Sequence, residues 1–129
     1  MWFSLGQLDA ANTAPTITPI PSQVIVENSF TNIVLHVWDA ETQPRMLFVS
    51  GSSTNPTLLP VTLITFGAVG DTGQCLMRIH PAPNMIGRTL VTVTVSDGVD
   101  MASTSFVLTI EPVDVSRTTN KYFRTWLTY

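Results

Sequence analysis

One segment, Ile86-Gly-Arg-Thr-Leu-Val-Thr-Val-Thr-Val-Ser-Asp-Gly98, constrains the fold more than any other part of the chain. Two sets of side chains alternate along it, a β-branched set and a largely hydroxyl-bearing set: Thr89, Val91, Val93 and Val95, and Leu90, Thr92, Thr94 and Ser96. In an extended strand these sets point to opposite faces, so one faces a core and the other faces solvent. The pattern predicts a long antiparallel strand with one wet face, closed by a Ser-Asp-Gly turn.

Composition favours a single all-β domain with tails. The chain has 129 residues, only 12% of them charged, and it is rich in threonine, valine, serine and proline, which suits short strands and turns. The formal net charge of -3 gives no whole-chain attraction to nucleic acid or an anionic membrane. Cys75 is the only cysteine, and its shared parity with Met77 and Ile79 predicts a buried structural thiol. We expect no cofactor.

Further segments extend the β pattern. A first strand is expected in two pieces, 14–19 and 23–26, at a sheet edge, because the prolines at 15, 19 and 21 remove ladder donors. Further strands are expected at 33–38, 45–50, 57–66 (a broken edge strand), 74–80, 88–96 and 105–110. We expect turn formers at 51–56, a hairpin loop at 67–73 and pairing of 74–80 with 88–96 across 81–87. In the last strand Phe106, Leu108 and Ile110 should point inward.

Several motifs carry a family resemblance: Asn12-Thr-Ala-Pro-Thr-Ile17, Glu27-Asn-Ser29, Val37-Trp-Asp-Ala-Glu-Thr42, Val49–Pro60, Val91-Thr-Val-Thr-Val-Ser-Asp-Gly98 and Ser105-Phe-Val-Leu-Thr-Ile-Glu-Pro-Val113. Together, residues 12–113 resemble a single unit of the tandem immunoglobulin-like, cadherin-like repeats of large bacterial surface proteins. The resemblance implies a seven-stranded immunoglobulin-like (cadherin-like) Greek-key β-sandwich over 14–113. Arms would precede it at 1–13 and follow it at 114–129. It also implies a spacer or adhesive role.

The two arms, which lie outside this sandwich, hold most of the chain's large aromatic residues. Exposed apolar ends are adhesive, so we predict that they bind a partner protein by adding a strand or inserting anchors. The alternative is that both arms fold back on their own sandwich. The expected partner is a second copy or a capsid or tail scaffold, and the C-terminal arm is too short and weakly basic to favour nucleic acid or membrane. The predicted partner-binding residues are Trp2, Phe3, Leu5, Leu8, Arg117, Lys121, Tyr122, Phe123, Arg124, Trp126, Leu127 and Tyr129.

Other candidate sites have simpler interpretations. Cadherin-type repeats place calcium at strand ends, which would involve Glu27, Asp39, Glu41 and Asp97 here, but turn capping by Asp39 and Asp97 is favoured and no metal is expected. His36 and His80 lie on outward parities without metal-ligand spacing, which indicates a solvated face. For Trp38, a surface anchor for carbohydrate or a partner and packing under a loop or tail both remain open. No catalytic set can be assembled, so an enzyme is not expected.

The functional expectation follows from the arms and the N-terminus. Residues 1–10 lack the basic start and the apolar run of about 7 to 15 residues of a signal peptide, as in a virion protein assembled in the cytosol, although a mature fragment would look the same. We expect a bacteriophage decoration or accessory structural protein on the virion surface. The alternatives are one repeat of a secreted bacterial adhesin at the cell surface and a carbohydrate-binding module.

Overall fold

The computed structural model describes residues 11–113, which form eight strands in two packed four-stranded sheets. The first sheet has the order β1-β3-β6-β5 and the second the order β2-β8-β7-β4. Two short 3-10 turns, Pro44–Met46 and Val61–Leu63, lie in the connections. The strands are β1 Thr16–Ile17, β2 Gln23–Val26, β3 Thr31–Trp38, β4 Phe48–Ser53, β5 Ile64–Phe66, β6 Gln74–Ile79, β7 Gly87–Ser96 and β8 Met101–Glu111. Within the described range, no helix combines the length and apolar character needed to cross a membrane.

The core lies between the sheets, and its two longest strands follow the predicted alternation. Val91, Val93 and Val95 of β7 are completely buried, whereas the hydroxyl-bearing set faces outward. On the antiparallel neighbour β8, the expected inward residues Phe106, Leu108 and Ile110 are also buried. Both predictions of sidedness are confirmed, because a period of two is a geometric property of any strand.

The predicted split of the first strand is confirmed and has a structural purpose. β1 pairs antiparallel with β3 in the first sheet, whereas β2 pairs parallel with β8 in the second. Each piece is an edge strand, as expected from the prolines around them. The chain therefore changes sheet at Pro19–Pro21, and β1 and β2 together count as the first of the seven expected strands.

The predicted pairing of 74–80 with 88–96 is wrong. β6 pairs with β3 and β5, whereas β7 pairs with β4 and β8, so the two strands belong to different sheets. The connection at 80–86 contains Pro81 and Pro83 and crosses from one sheet to the other, instead of reversing the chain within one sheet. Alternation reports which side of a strand is buried, but it does not report which strand lies beside it.

The third strand lies further along the chain than predicted. Pro44 begins a 3-10 turn through Met46, and β4 then runs from Phe48 through Gly51 to Ser53, where turn formers were expected. Glycine suits this strand because a Cβ at Gly51 would lie 3.0 Å from Ile64 Cγ2, which packs closely above it. In the predicted segment 57–66, only Ile64–Phe66 is a strand, because Val61–Leu63 after Pro60 forms a 3-10 turn.

Candidate functional site

All twelve predicted partner-binding residues lie outside the described residues 11–113. The structure therefore does not test them, but it does show where the two arms join the sandwich. These attachment points, and the surfaces around them, are the candidate interaction site of the described body.

Asn12 and Thr13, which precede β1, are hydrogen-bonded to acidic side chains at one end of the sandwich. The Asn12 amide nitrogen donates to Asp97 Oδ2 at 2.7 Å and to Asp100 Oδ2 at 3.0 Å. Thr13 donates to the Glu41 carboxylate, from its backbone N–H at 3.2 Å and from its hydroxyl at 2.8 Å. The N-terminal arm consequently starts at the end that carries the β7–β8 turn.

The C-terminal arm starts at the opposite end. β8 begins beside the β7–β8 turn and has 11 residues, so it carries the chain on the order of 34 Å away from that turn. At the far end the Glu27 N–H donates to the Glu111 carbonyl at 2.8 Å, and Val113 is exposed. The two arms therefore leave from opposite ends of the body.

The carboxylates at the N-terminal end form a compact acidic cluster of Asp39, Glu41, Asp97 and Asp100. Asp39 Oδ1 accepts the N–H groups of Glu41 and Thr42 at 2.8 and 3.1 Å. Asp97 Oδ1 accepts those of Val99 and Asp100, both at 2.8 Å. The predicted turn-capping roles of Asp39 and Asp97 are confirmed.

The pKa values of three carboxyl groups in this cluster shift in different directions. Burial raises the pKa of Asp39, and the neighbouring carboxyl groups of Asp97 and Glu41 add to the increase, against the two backbone donors. Hydrogen bonds from Asn12, and then from Asp100 and Val99, lower the pKa of Asp97. Hydrogen bonds from Thr13 lower the pKa of Glu41. Asp39 Oδ2 is buried and has no hydrogen-bond partner among the described residues.

The four residues considered for calcium do not form one group. Asp39, Glu41 and Asp97 come together. Glu27 lies at the other end of the sandwich, where its backbone N–H donates to the Glu111 carbonyl. Within residues 11–113, no set of three or more histidine, cysteine, aspartate or glutamate side chains is arranged to hold a metal ion. The expectation that no metal binds stays a prediction.

The other polar candidates lie where their parity placed them. His36 and His80 are both exposed. His80 contacts Phe30 edge-to-face with centroids 6.3 Å apart, and the Arg78 guanidinium lies 3.9 Å from the same Phe30 ring. Cys75 is buried, its thiol lies 3.3 Å from the Gly67 carbonyl, and burial raises its pKa. The prediction of a buried structural thiol is confirmed.

Trp38 is 56% exposed on the outer face of the first sheet. It borders an open groove of about 380 Å³ that is also lined by Thr16, Thr18, His36 and Thr72. β-pairing sets this arrangement, since Thr16 is directly opposite Trp38 and the Thr18 N–H donates to the His36 carbonyl at 3.1 Å. Among the described residues, therefore, Trp38 is a surface side chain beside an open groove.

Among residues 11–113, no strand pairs with the outer edge of β4 in the second sheet, and the outer face of this sheet carries a pattern of side chains. Thr54 N–H donates to the Leu90 carbonyl at 3.1 Å, so the alternating ladder directs the backbone groups of Val49, Gly51 and Ser53 away from β7. Neither proline nor a charged residue protects this edge within β4. At one end of the face, Phe48 and Met101 are exposed, and between the two ends hydroxyls pair as Thr92–Ser105 and Thr94–Ser103, both at 2.8 Å.

Sequence reasoning missed several residues of these surfaces. Asn12, Thr13 and Asp100 hold the start of the sandwich in place. The sequence feature that could have indicated this was the repeat-like motif Asn12-Thr-Ala-Pro15. Phe48 was also missed, although its parity is opposite to that of the buried Leu47 and Val49 and could have indicated its exposure.

Comparisons with known proteins support the fold. No protein-family model and no curated protein matches the chain. Solved structures do: titin domain M7 matches with a TM-score of 0.57 at 19% identity, over 78% of this chain and 97% of that one. The N-terminal Ig1-2 module of the Drosophila receptor protein tyrosine phosphatase DLAR matches with a TM-score of 0.58 at 16% identity, over 79% and 51%. An Ig domain in the titin M10–obscurin-like 1 complex gives 0.53 at 12% identity, over 76% and 94%.

The chain has an immunoglobulin-like β-sandwich fold. The strand order, with β1 and β2 divided between the sheets, and the three structural matches agree on this class. At these identities the likeness concerns the fold alone, and function has to be argued from the surfaces described above.

Proposed function

We propose that this protein is a non-enzymatic structural and interaction module, displayed on a larger assembly and anchored through its terminal arms. The observation that carries the proposal is the contrast between body and arms. Residues 11–113 contain a continuous hydrophobic core, and the arms bring further apolar and aromatic residues, such as Trp2, Phe3 and Trp126. Such side chains are stabilised when a partner covers them.

The assembly we favour is a bacteriophage virion, with the protein as a decoration or accessory structural subunit on its surface. A compact body with arms at opposite ends could hold a capsid or tail scaffold with one arm and project the sandwich outward. The titin M10 match comes from a complex with another Ig protein, which is a precedent for protein binding by this fold and names no partner here.

Charge distribution supports self-association in a head-to-tail manner. Four carboxylates cluster at the end where the N-terminal arm begins. The C-terminal arm, with Arg117, Lys121 and Arg124, departs from the other end. A basic arm of one copy can therefore approach the acidic end of the next, with the open β4 edge as a further acceptor for an added strand.

Deletion of residues 117–129 tests this proposal. We expect the truncated protein to keep the melting temperature of the full chain but to lose assembly, measured by sedimentation velocity and by co-sedimentation with capsids or tails. Assembly of the full chain should weaken with added salt if the basic arm contributes. The matched control replaces Thr118, Thr119 and Asn120 with alanine, which keeps the aromatic and basic residues and should preserve assembly. The proposal is wrong if the truncated protein assembles as the full chain does.

A second candidate function is one repeat of a secreted bacterial surface adhesin. The exit of the arms from opposite ends favours it, because modules linked in series need that arrangement. Flanking sequence from the same gene distinguishes the two: further repeats of this pattern would support the adhesin, and neighbouring virion genes would support the decoration protein.

A further inference from the structure

The groove beside Trp38 has the features of a ligand site and plays no part in the proposed anchoring by the arms. It lies on the outer face of the first sheet, and the buried side chain of Val37 lies beneath it. Its volume of about 380 Å³ lies within the usual range of small-molecule sites, roughly 300–1,000 Å³. Strands rather than loops carry most of its side chains, so its geometry is fixed before any ligand arrives.

Two hydroxyl groups in the groove are oriented by carbonyl groups of β3, the neighbouring strand. The Thr16 hydroxyl donates to the Trp38 carbonyl at 3.4 Å, and the Thr18 hydroxyl donates to the His36 carbonyl at 3.2 Å. Since each hydrogen is used in this way, the oxygen lone pairs are left for a ligand. The imidazole of His36 and the indole N–H of Trp38 add donors. The groove therefore offers both hydrogen-bond donors and hydrogen-bond acceptors beside one aromatic ring.

The charge of the groove selects the class of ligand. None of the described residues that line it is Asp, Glu, Lys or Arg, so neither a cation nor an anion would find a fixed counter-charge there. A neutral molecule with an apolar face and several hydroxyls is complementary to this surface. A sugar ring has this chemistry, because its C–H face stacks on an aromatic ring while its hydroxyls donate and accept at the rim.

We propose that the Trp38 groove binds a neutral oligosaccharide. The indole supplies the stacking platform, while Thr16, Thr18 and His36 form hydrogen bonds with the sugar hydroxyls. The groove is open to solvent, which leaves room for further units of a chain. An added peptide strand fits less well, because β1 has only two residues and Pro15 and Pro19 beside it have no N–H to donate.

A binding experiment with defined sugars tests the site on the full chain. The probes are the neutral hexasaccharides maltohexaose, cellohexaose, mannohexaose and chitohexaose, with oligogalacturonate and a heparin hexasaccharide as charged comparisons, measured by calorimetry and by chemical-shift mapping. We expect at least one neutral probe to bind, and Trp38→Ala to weaken it about tenfold or more. Trp38→Phe, which keeps an aromatic ring, should retain part of the affinity.

Phe48→Ala is the matched control, because Phe48 is an aromatic residue that is 69% exposed on the other sheet. It should leave the affinity unchanged. The proposal fails if no neutral probe binds, if the charged probes bind better, if Trp38→Ala binds as the wild type does, or if Phe48→Ala causes the same loss. It also fails if binding appears only after residues 1–10 are deleted, since the groove would then belong to that arm. Deleting 117–129 leaves this groove in place, so the two proposals can fail independently.

Discussion

Among the described carboxylates, Asp39 has the surroundings least favourable to its charge. It is only 3% exposed, and one carboxylate oxygen is satisfied by two backbone N–H groups while the other has no partner among the described residues. Two more carboxyl groups, of Asp97 and Glu41, lie beside it. A buried polar atom without a hydrogen bond costs about 1 to 3 kcal/mol, so the native residue lowers stability at neutral pH.

Asp39→Asn should therefore stabilise the protein. The amide oxygen can keep both backbone bonds, and the new NH₂ group can donate to Asp97 or Glu41. We expect a gain of about 1 kcal/mol in the free energy of unfolding at neutral pH. The folded pKa of Asp39 is raised, so the stability linked to its protonation is complete below the ordinary Asp value of 3.8 and is lost as pH rises through the folded pKa. The gain of the variant should consequently shrink in acid. Urea unfolding at acid and neutral pH measures both effects.

The control for this prediction is Asp39→Ala, which removes the acceptor of both turn N–H groups and should lower stability. Melting with and without a chelator or added calcium completes the comparison, and we expect no change. A stabilising effect of calcium, together with a loss of stability in Asp39→Asn, would contradict the interpretation, because a bound cation would then be satisfying the free oxygen.

Two turns that contain a glycine differ in how closely other strands pack against them. Gly73 closes the β5–β6 hairpin with φ of +86°, and Gly98 closes the β7–β8 turn with φ of +96°. A Cβ on Gly73 would overlap the backbone carbonyl of Val37 in β3, whereas a Cβ on Gly98 would meet no atom within 4 Å. The β5–β6 loop is thus packed against the end of β3, where the Val37 N–H donates to the Gly73 carbonyl at 2.8 Å.

Gly73→Ala should accordingly cost far more than Gly98→Ala. The positive φ alone costs about 1 to 2 kcal/mol in either variant. The overlap with β3 adds about 1 to 3 kcal/mol at Gly73 only. Thermal unfolding of the two variants beside the wild type measures the difference. Equal losses would show that the hairpin does not press against β3.

The elements also show how far the sequence could predict this molecule. The sidedness of β7 and β8, the edge positions of β1 and β2, the burial of Cys75 and the caps at Asp39 and Asp97 all depend on local spacing, and they were predicted correctly. The hairpin loop at 67–73, which joins β5 to β6, was also predicted correctly. The second neighbour of β6 was not, because β3 lies far from it in sequence. The bounds of β4 were missed because the proline-initiated turn before it was taken for its start and Gly51 was taken for its end.

The candidate site was harder to predict for the same reason. Trp38 and its outward parity could be read from β3 alone, but the groove appears only when β1 and the loop before β6 bring Thr16, Thr18 and Thr72 beside it. The acidic cluster likewise unites residues that follow β3 with residues of the β7–β8 turn, and its donors come from the entry segment. Of the four carboxylates considered for calcium, Glu27 lies at the opposite end of the sandwich from the other three. This separation becomes visible only in the folded structure.

At the scale of the whole molecule, the question is whether the body needs its arms. The two sheets enclose a core in which Leu35, Met77, Ile79 and Leu108 are each no more than 1% exposed. The arms begin at opposite ends of the sandwich, so they cannot both protect the same edge near their attachment points.

A fragment of residues 11–113 should therefore fold alone and unfold cooperatively, with a melting temperature close to that of the intact chain measured as a monomer at low concentration. It keeps Asn12 and Thr13, so the acidic cluster retains its donors. Differential scanning calorimetry gives the comparison, and deletion of each arm separately identifies any contribution. A large drop for the fragment would mean that the arms pack on their own sandwich and stabilise it, which would remove the basis for anchoring through them.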